Sequence, residues 1–353
     1  MFKKLAAVCV SVVLAVSLSG CTPPMPPEIL SALAEQEYTC EEGNTMLSVP
    51  ASTTDMAPGW QSSVAEACAG MTFEYQYDSY DKADLVFTNL GLNEALCKPS
   101  VTVPFAVDAA VVVYQLSDGN TFNFTPALLA KILSGEVTDW SDPLIAEVNL
   151  GAVYTAGPIT FKKTAFKPAL EAFSTWMKGF DSKFDSSKIK AGTAESAADF
   201  SLSEGEIAII PNSIAQELAY MPAGVVVGKD YSVDVVNPDF SSISSAATQF
   251  EFESTDTTMT VTHNAKIKPQ PAPGQEVASA PYEAVYTAPL AICGEATLAK
   301  RAAARFILRQ DQQGAVGATF FVPITETMRV GALAIVSEGL TLPVIDPENL
   351  PQN

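Results

Sequence analysis

The chain is 353 residues long, carries 40 acidic against 20 basic side chains for a net charge of −20, and is 48% hydrophobic. The apolar share is ample for packed cores and excludes a disordered polymer. The acidic balance excludes a nucleic-acid binder, which needs a basic face. The length suits two domains of roughly 100–200 residues each.

Lys3 and Lys4 head an apolar run over residues 5–18, shorter than the ~20 residues a membrane-spanning helix needs. Leu18-Ser19-Gly20-Cys21 follows, so residues 1–20 read as a secretory signal. A cysteine directly after small residues resembles the bacterial lipobox. That resemblance implies cleavage before Cys21, lipidation of Cys21, and anchorage at the outer face of the cell membrane. An uncleaved short anchor is the competing reading. Prolines 23, 24, 26 and 27 stiffen a tether within residues 21–37. No second apolar stretch reaches spanning length.

Beyond the tether, strand and helix patterns alternate, which predicts an α/β fold. Residues 45–49 read as a strand, followed by the turn Ser52-Thr53-Thr54-Asp55 and a helix from Pro58 to about Cys68. Residues 72–77 and 84–88 read as further strands, and 101–115 as one long buried strand or a pair. Asp118-Gly119 signals a turn. Thr125-Pro126 caps a helix closed by Gly135, and Asp142-Pro143 opens another that ends near Asn149. Residues 152–161 predict a strand, and 165–178 a helix with Phe166, Leu170, Phe173 and Met177 on one face. Residues 205–210 read as a short buried strand, and Ser213 with Gln216 as the capping box of the next helix. Residues 252–280, rich in Thr, Pro, Ala and Gln, read as an insertion or long loop. A strand over 282–292 and a helix over 297–313, ended by Gly314, follow.

Cys40, Cys68, Cys97 and Cys293 remain besides Cys9 and Cys21. Outside the cytoplasm an even set reads as two disulfides, with three pairings available. Cys40 precedes the first strand and Cys68 ends the helix after it, so both lie at one end of a βα unit. That topology favours Cys40–Cys68 and Cys97–Cys293. No CxxC pair occurs, and no metal site or cofactor is expected. Residues 162–190 carry seven lysines against three acids, which reads either as a solvated helix face or as a lip that attracts anions.

Two stretches carry a resemblance. Residues 104–114 (PFAVDAAVVVY) and then 128–149, with Gly135, Trp140, Asp142, Pro143 and Ile145 at fixed spacing, resemble the phosphate-binding protein of the bacterial phosphate ABC importer. Residues 205–209, 282–289 and 302–323 resemble, in order, that family's short Gly-x-Ile strand, its returning strand, and its last helix and closing strand. The resemblance runs from about residue 45 to 336. It implies a two-lobed periplasmic-binding-protein-like fold of type II, each lobe a mixed sheet flanked by helices, joined by two crossover strands. Lobe one would comprise 38–105 and 284–353, and lobe two 106–283.

The same resemblance implies three ligand segments. Ser52, Thr53 and Thr54 match a Gly/Ser/Thr loop after the first strand, although an ordinary helix-capping turn explains them equally well. Ser79 matches a serine of the second loop, and Asp84 the aspartate that accepts the proton of hydrogen phosphate; a strand-end acid is the other reading of Asp84. Lys163 and Thr164 match the third segment at a helix N-terminus, where the family has an arginine, an aspartate and two glycines that are absent here. Lysine does not reproduce bidentate arginine geometry. Amides and hydroxyls at helix N-termini hold oxyanions without a large positive field.

These readings converge on a monomeric, lipid-anchored solute-binding protein that captures phosphate or a related oxyanion for an ABC permease. The alternative is a degenerate member of the same fold acting in protein contact or sensing without transport. An enzyme is not expected. The single histidine, His263, lies in the 252–280 insertion, and Ser187-Lys188-Ile189-Lys190 lacks the partner motifs of S-x-x-K acylases.

Overall fold

A computed structural model describes residues 37–342 apart from 118–120, 151, 153, 192–197, 199, 230–233 and 272–274. The signal, Cys21, the tether up to residue 36 and the Asp118-Gly119 turn lie outside the described residues. Strand β1 (Gly43–Val49) is flanked by two parallel neighbours, β2 (Met71–Tyr77) and β3 (Leu85–Phe87). Parallel neighbours need a crossover, and α1 (Met56–Ala67) supplies it. Met56, Trp60 and Val64 recur every fourth residue and, with Ala57, bury one stripe of that helix. The disulfide Cys40–Cys68 ties the chain before β1 to the end of α1.

After the short helix α2 (Glu94–Cys97) comes β4 (Pro99–Tyr114), a single strand of 16 residues. From Val103 onward it is buried without alternation, because both of its faces are covered. Its first part pairs antiparallel with β12 (Val285–Cys293), whose other edge carries β3. From Ala110 onward it pairs instead with β7 (Glu206–Pro211), which is flanked by β6 (Thr160–Lys162). The strand order is β2-β1-β3-β12-β4-β7-β6, with β13 (Val322–Pro323) added on β4. Two regions of sheet thus share β4, and its neighbour changes between Ala109 and Ala110. The second disulfide, Cys97–Cys293, joins the approach to β4 with the end of β12. These are the pairings that the topology favoured.

Around the second region lie β5 (Asn123–Phe124), α3 (Pro126–Ser134), α4 (Pro143–Val148), α5 (Lys167–Phe180), α6 (Asn212–Glu217), β8 (Gly224–Val226), β9 (Val235–Val236) and α7 (Phe240–Ala247). Thr125 and Asp142 cap α3 and α4 as their sequence positions predicted, and Gly135 ends α3 in the left-handed region. The predicted strand at 152–161 shrinks to its last residues. Its middle instead docks on the Asp139–Trp140 turn, where Trp140 N–H donates to Gly157 O and Gly157 N–H to Asp139.

The 252–280 segment is no simple loop. Its start forms a hairpin of β10 (Phe250–Ser254) and β11 (Met259–His263). The predicted helix at 297–313 is two helices, α8 (Leu298–Ile307) and α9 (Gln310–Gly317), with Gly314 inside the second. Arg309 breaks the run because its backbone is extended while its guanidinium lies 3.8 Å from the centre of the Tyr38 ring and 3.0 Å from Asp311. Helix α10 (Glu326–Val336) packs against α8 and β4. Among the described residues no helix is long and apolar enough to cross a membrane.

Candidate functional site

Parallel strands end together, and in open α/β sheets the crevice beyond their C-terminal ends is where ligands lodge. Here β1, β2 and β3 all end toward a cavity of about 190 Å³. Ser48 and Val49 from β1, Asp78 and Tyr80 after β2, and Phe87 and Thr88 at β3 line one side. Ala165 and Phe166, which lead into α5, line the other. No side chain caps the first turn of α5, so the amide dipoles of this 14-residue helix begin at the cavity wall. Gly91 marks the contact between the two sides: its φ is +88°, and a Cβ there would come within 3.3 Å of the Pro168 ring.

Among the described residues no lysine or arginine lines this cavity. Its one carboxylate is Asp78, which accepts from the Ala51 amide at 3.3 Å. Desolvation raises the Asp78 carboxyl above the ordinary aspartate value, and the Ala51 hydrogen bond offsets part of that. Glu217 on α6 is raised as well, first by burial and then by the charge of Asp78. Acids from the two sheet regions therefore feel one another.

The residues expected to hold a ligand are distributed differently. Thr53 is fully buried, and its hydroxyl donates to Pro50 O at 2.6 Å; Ser52 Oγ is buried with no partner; Thr54 O accepts from Tyr77. Ser79 Oγ accepts from the Asp81 amide. These groups belong to the loops at the cavity end of the sheet. Asp84 does not. It precedes β3, accepts from the Met46 amide at 3.0 Å and pairs with Lys300 Nζ at 2.9 Å, so its carboxylate is a structural staple. Thr164 is fully buried and donates to Ile209 O, while Lys163 Nζ reaches Ser187 O.

Asp108 is the residue that sequence reasoning passed over. It sits in β4 opposite Tyr286, one residue before the last rung with β12, and is 1% exposed. Its carboxylate accepts from Ala109 N–H (2.7 Å), Ser213 N–H (3.2 Å), Ser213 Oγ (2.5 Å) and Tyr286 OH (3.2 Å). Ser213 Oγ in turn accepts from Asn89 Nδ2 at 2.6 Å. Ser213 therefore does not cap α6, whose N-cap is Pro211. Burial pushes the Asp108 carboxyl up to about 6, with the Ser213, Ala109 and Tyr286 donors pulling it back. The available signal was that Asp108 is the only charge in the 16 residues of β4.

Residues 81–220 match the family model described as a PBP superfamily domain. Among solved structures, the ancestral soluble variant of the human phosphate binding protein is 14% identical, with a TM-score of 0.54 over 86% of this chain and 100% of that one. The chain has a two-lobed periplasmic-binding-protein-like fold. A DING protein shares the PBP-like fold at 13% identity and TM-score 0.53, over 85% and 96% of the two chains. So does PfluDING, a periplasmic phosphate-binding protein solved with phosphate, at 13% identity and TM-score 0.51 over 85% and 100%. No curated protein matches the chain. At such identities the likeness covers the PBP-like fold alone.

Proposed function

We propose that this is an extracytoplasmic solute-binding protein, anchored through lipidated Cys21 and acting as a monomer, that captures phosphate or a related protonated oxyanion for an ABC permease. Lobe one is taken as 38–105 with 284–353, and lobe two as 106–283. The observation that carries the reading is the cavity at the ends of β1 and β3, facing the uncapped start of α5. Ser48 and Thr88 offer hydroxyls there, and the amides of α5 offer a positive dipole end. Asp78, held partly protonatable by desolvation, accepts the ligand's proton. Hydrogen bonds to a charged ligand contribute roughly 1.5–3 kcal/mol each, so a few suffice without a cationic side chain.

The test is a melting scan of anion-stripped mature protein with phosphate, arsenate, phosphonates and sulfate. A ligand at ~100 times its Kd adds about 2.7 kcal/mol, or several degrees in Tm. Phosphate and arsenate are expected to act, and sulfate, which carries no proton at neutral pH, to act weakly. Asp78→Asn should erase that preference. No shift with any anion would end the reading. A mature chain whose N-terminal Cys21 carries no lipid in mass spectrometry would end the anchor.

The alternative of contact or sensing without transport draws on a different observation. Asn89 and Ser213, on opposite sides of the crevice, bond to each other directly.

A further inference from the structure

Asp108 lies where β4 exchanges β12 for β7, the switch point at which a fold of this kind converges its donors. The groups around its carboxylate are backbone N–H, serine hydroxyl and tyrosine hydroxyl, with no cation among its hydrogen-bond partners. That is the chemistry by which proteins hold a small oxyanion in a dry site. The proton directions are set as well. The Asn89 amide donates into Ser213 Oγ, which leaves the serine proton for Asp108. Both peptide N–H groups meet Oδ1 and both hydroxyls donate to Oδ2, so an amide of the same shape would keep the first pair but turn its own N–H₂ on the hydroxyls that donate there.

We propose that Asp108 is an internal oxyanion: its carboxylate fills the donor set at the switch point of the sheet and latches Asn89 of the first region to Ser213 of the second. A buried charge without a counter-ion is costly, and it persists only where hydrogen bonds replace its hydration. Here four donors do so, drawn from β4, α6 and β12. The latch adjoins the solute cavity, because Thr88 and Leu90, the neighbours of Asn89, both line that cavity. This inference does not rest on the cavity's ligand being an oxyanion; it concerns a donor set already filled by the protein's own side chain.

Chemical rescue tests it. Asp108→Ala leaves the Ser213 and Tyr286 donors around a gap the size of a small carboxylate. The mature variant should melt at least ~5 °C below the unaltered protein. Millimolar formate or acetate should restore half or more of that loss saturably, whereas formamide, the neutral counterpart of formate, should not. The unaltered protein should move by less than about 1 °C with formate. A folded variant, judged by circular dichroism, that ignores formate and acetate alike would overturn the proposal. So would equal stabilisation of the unaltered protein.

Should Asp108→Ala not fold, Asp108→Asn preserves the shape and removes the charge. It should increase the radius of gyration in small-angle scattering as the latch opens, with no response to formate, since the amide still fills the gap. An Asp108→Asn protein with unchanged Tm and unchanged radius would overturn the latch.

Discussion

At the start of β3, Asp84 meets Lys300 at 2.9 Å and the Met46 amide at 3.0 Å, with about a quarter of its side chain still in water. At the switch in β4, Asp108 is sealed off and meets only uncharged donors. Both are carboxylates in the same sheet, and both stabilise an association between chain segments. They differ in what surrounds them. Partly in water and neutralised by an ammonium, Asp84 joins α8 to β1. Asp108 has no neutralising partner, so its energy depends on whether a proton is present and on whether its four donors stay in place. An aspartate engaged by a lysine is a fastening, and one engaged by amides and hydroxyls can act as a switch.

The largest expected effect breaks the comparison on the Asp108 side. Asp108→Ala strands Ser213 N–H and the Ser213 hydroxyl proton in a buried site, while the Tyr286 hydroxyl keeps Asn89 O as an acceptor. At roughly 1–3 kcal/mol for each unsatisfied group, a loss of about 3 kcal/mol or more in urea unfolding is expected. A loss below 1 kcal/mol would mean that water takes over those donors at no penalty.

The second test is pH. In the folded state the Asp108 carboxyl titrates near 6, against an ordinary value of 3.8, so the native protein binds the extra proton. Its contribution therefore grows as pH falls through 6 toward 3.8 and is absent above 6. Between pH 7 and pH 5 this amounts to about 1.3 kcal/mol in favour of folding. Tyr286 on β12 is the only titratable partner in contact, and it stays neutral because burial and Asp108 itself push it far up; Ser213 on α6 and Asn89 after β3 do not titrate in this range. Subtracting the profile of Asp108→Asn removes the shared titration of Asp78, Glu217 and Glu283, which are also raised. A difference profile that is flat between pH 7 and 5 would refute the buried charge.

A smaller effect sharpens the other side. Asp84→Asn should cost about 1 kcal/mol in urea, as expected for a partly exposed pair with one amide contact, and should leave anion preference untouched. Altered phosphate-over-sulfate preference in Asp84→Asn would restore that residue to the ligand's neighbourhood. Smallest on stability is Thr88→Val, expected within ~0.5 kcal/mol, yet weakening anion binding by about tenfold if its hydroxyl donates to the solute. Isothermal titration reads the second quantity.

Much of the frame was legible in the residues. Thr125-Pro126, Gly135 and Asp142-Pro143 announced their helices through capping chemistry that acts within a few residues. The disulfide pairing followed from the order of one strand and one helix. What failed was non-local. The break at Arg309 depends on Tyr38, some 270 positions earlier, and the Thr160–Lys162 strand lost its predecessors to a turn at Asp139. Ser213 fits a capping-box spacing, but its hydroxyl is claimed by Asp108, 105 residues away. Asp84 matched a pattern whose neighbours along the chain say nothing of Lys300, 216 residues on. The lone charge in β4 was visible throughout; only the course of that strand across two sheet regions gives it meaning.

The bond between Cys97 and Cys293 has a mechanical consequence. It rivets two long strands together at one end, and nine further rungs, from Pro99↔Cys293 to Ala109↔Val285, bind them along their length. Such a pair behaves as a beam clamped at its base, stiff up to its last rung. Any swing between the two sheet regions is therefore expected to bend beyond Ala109, which sets the fulcrum beside Asp108.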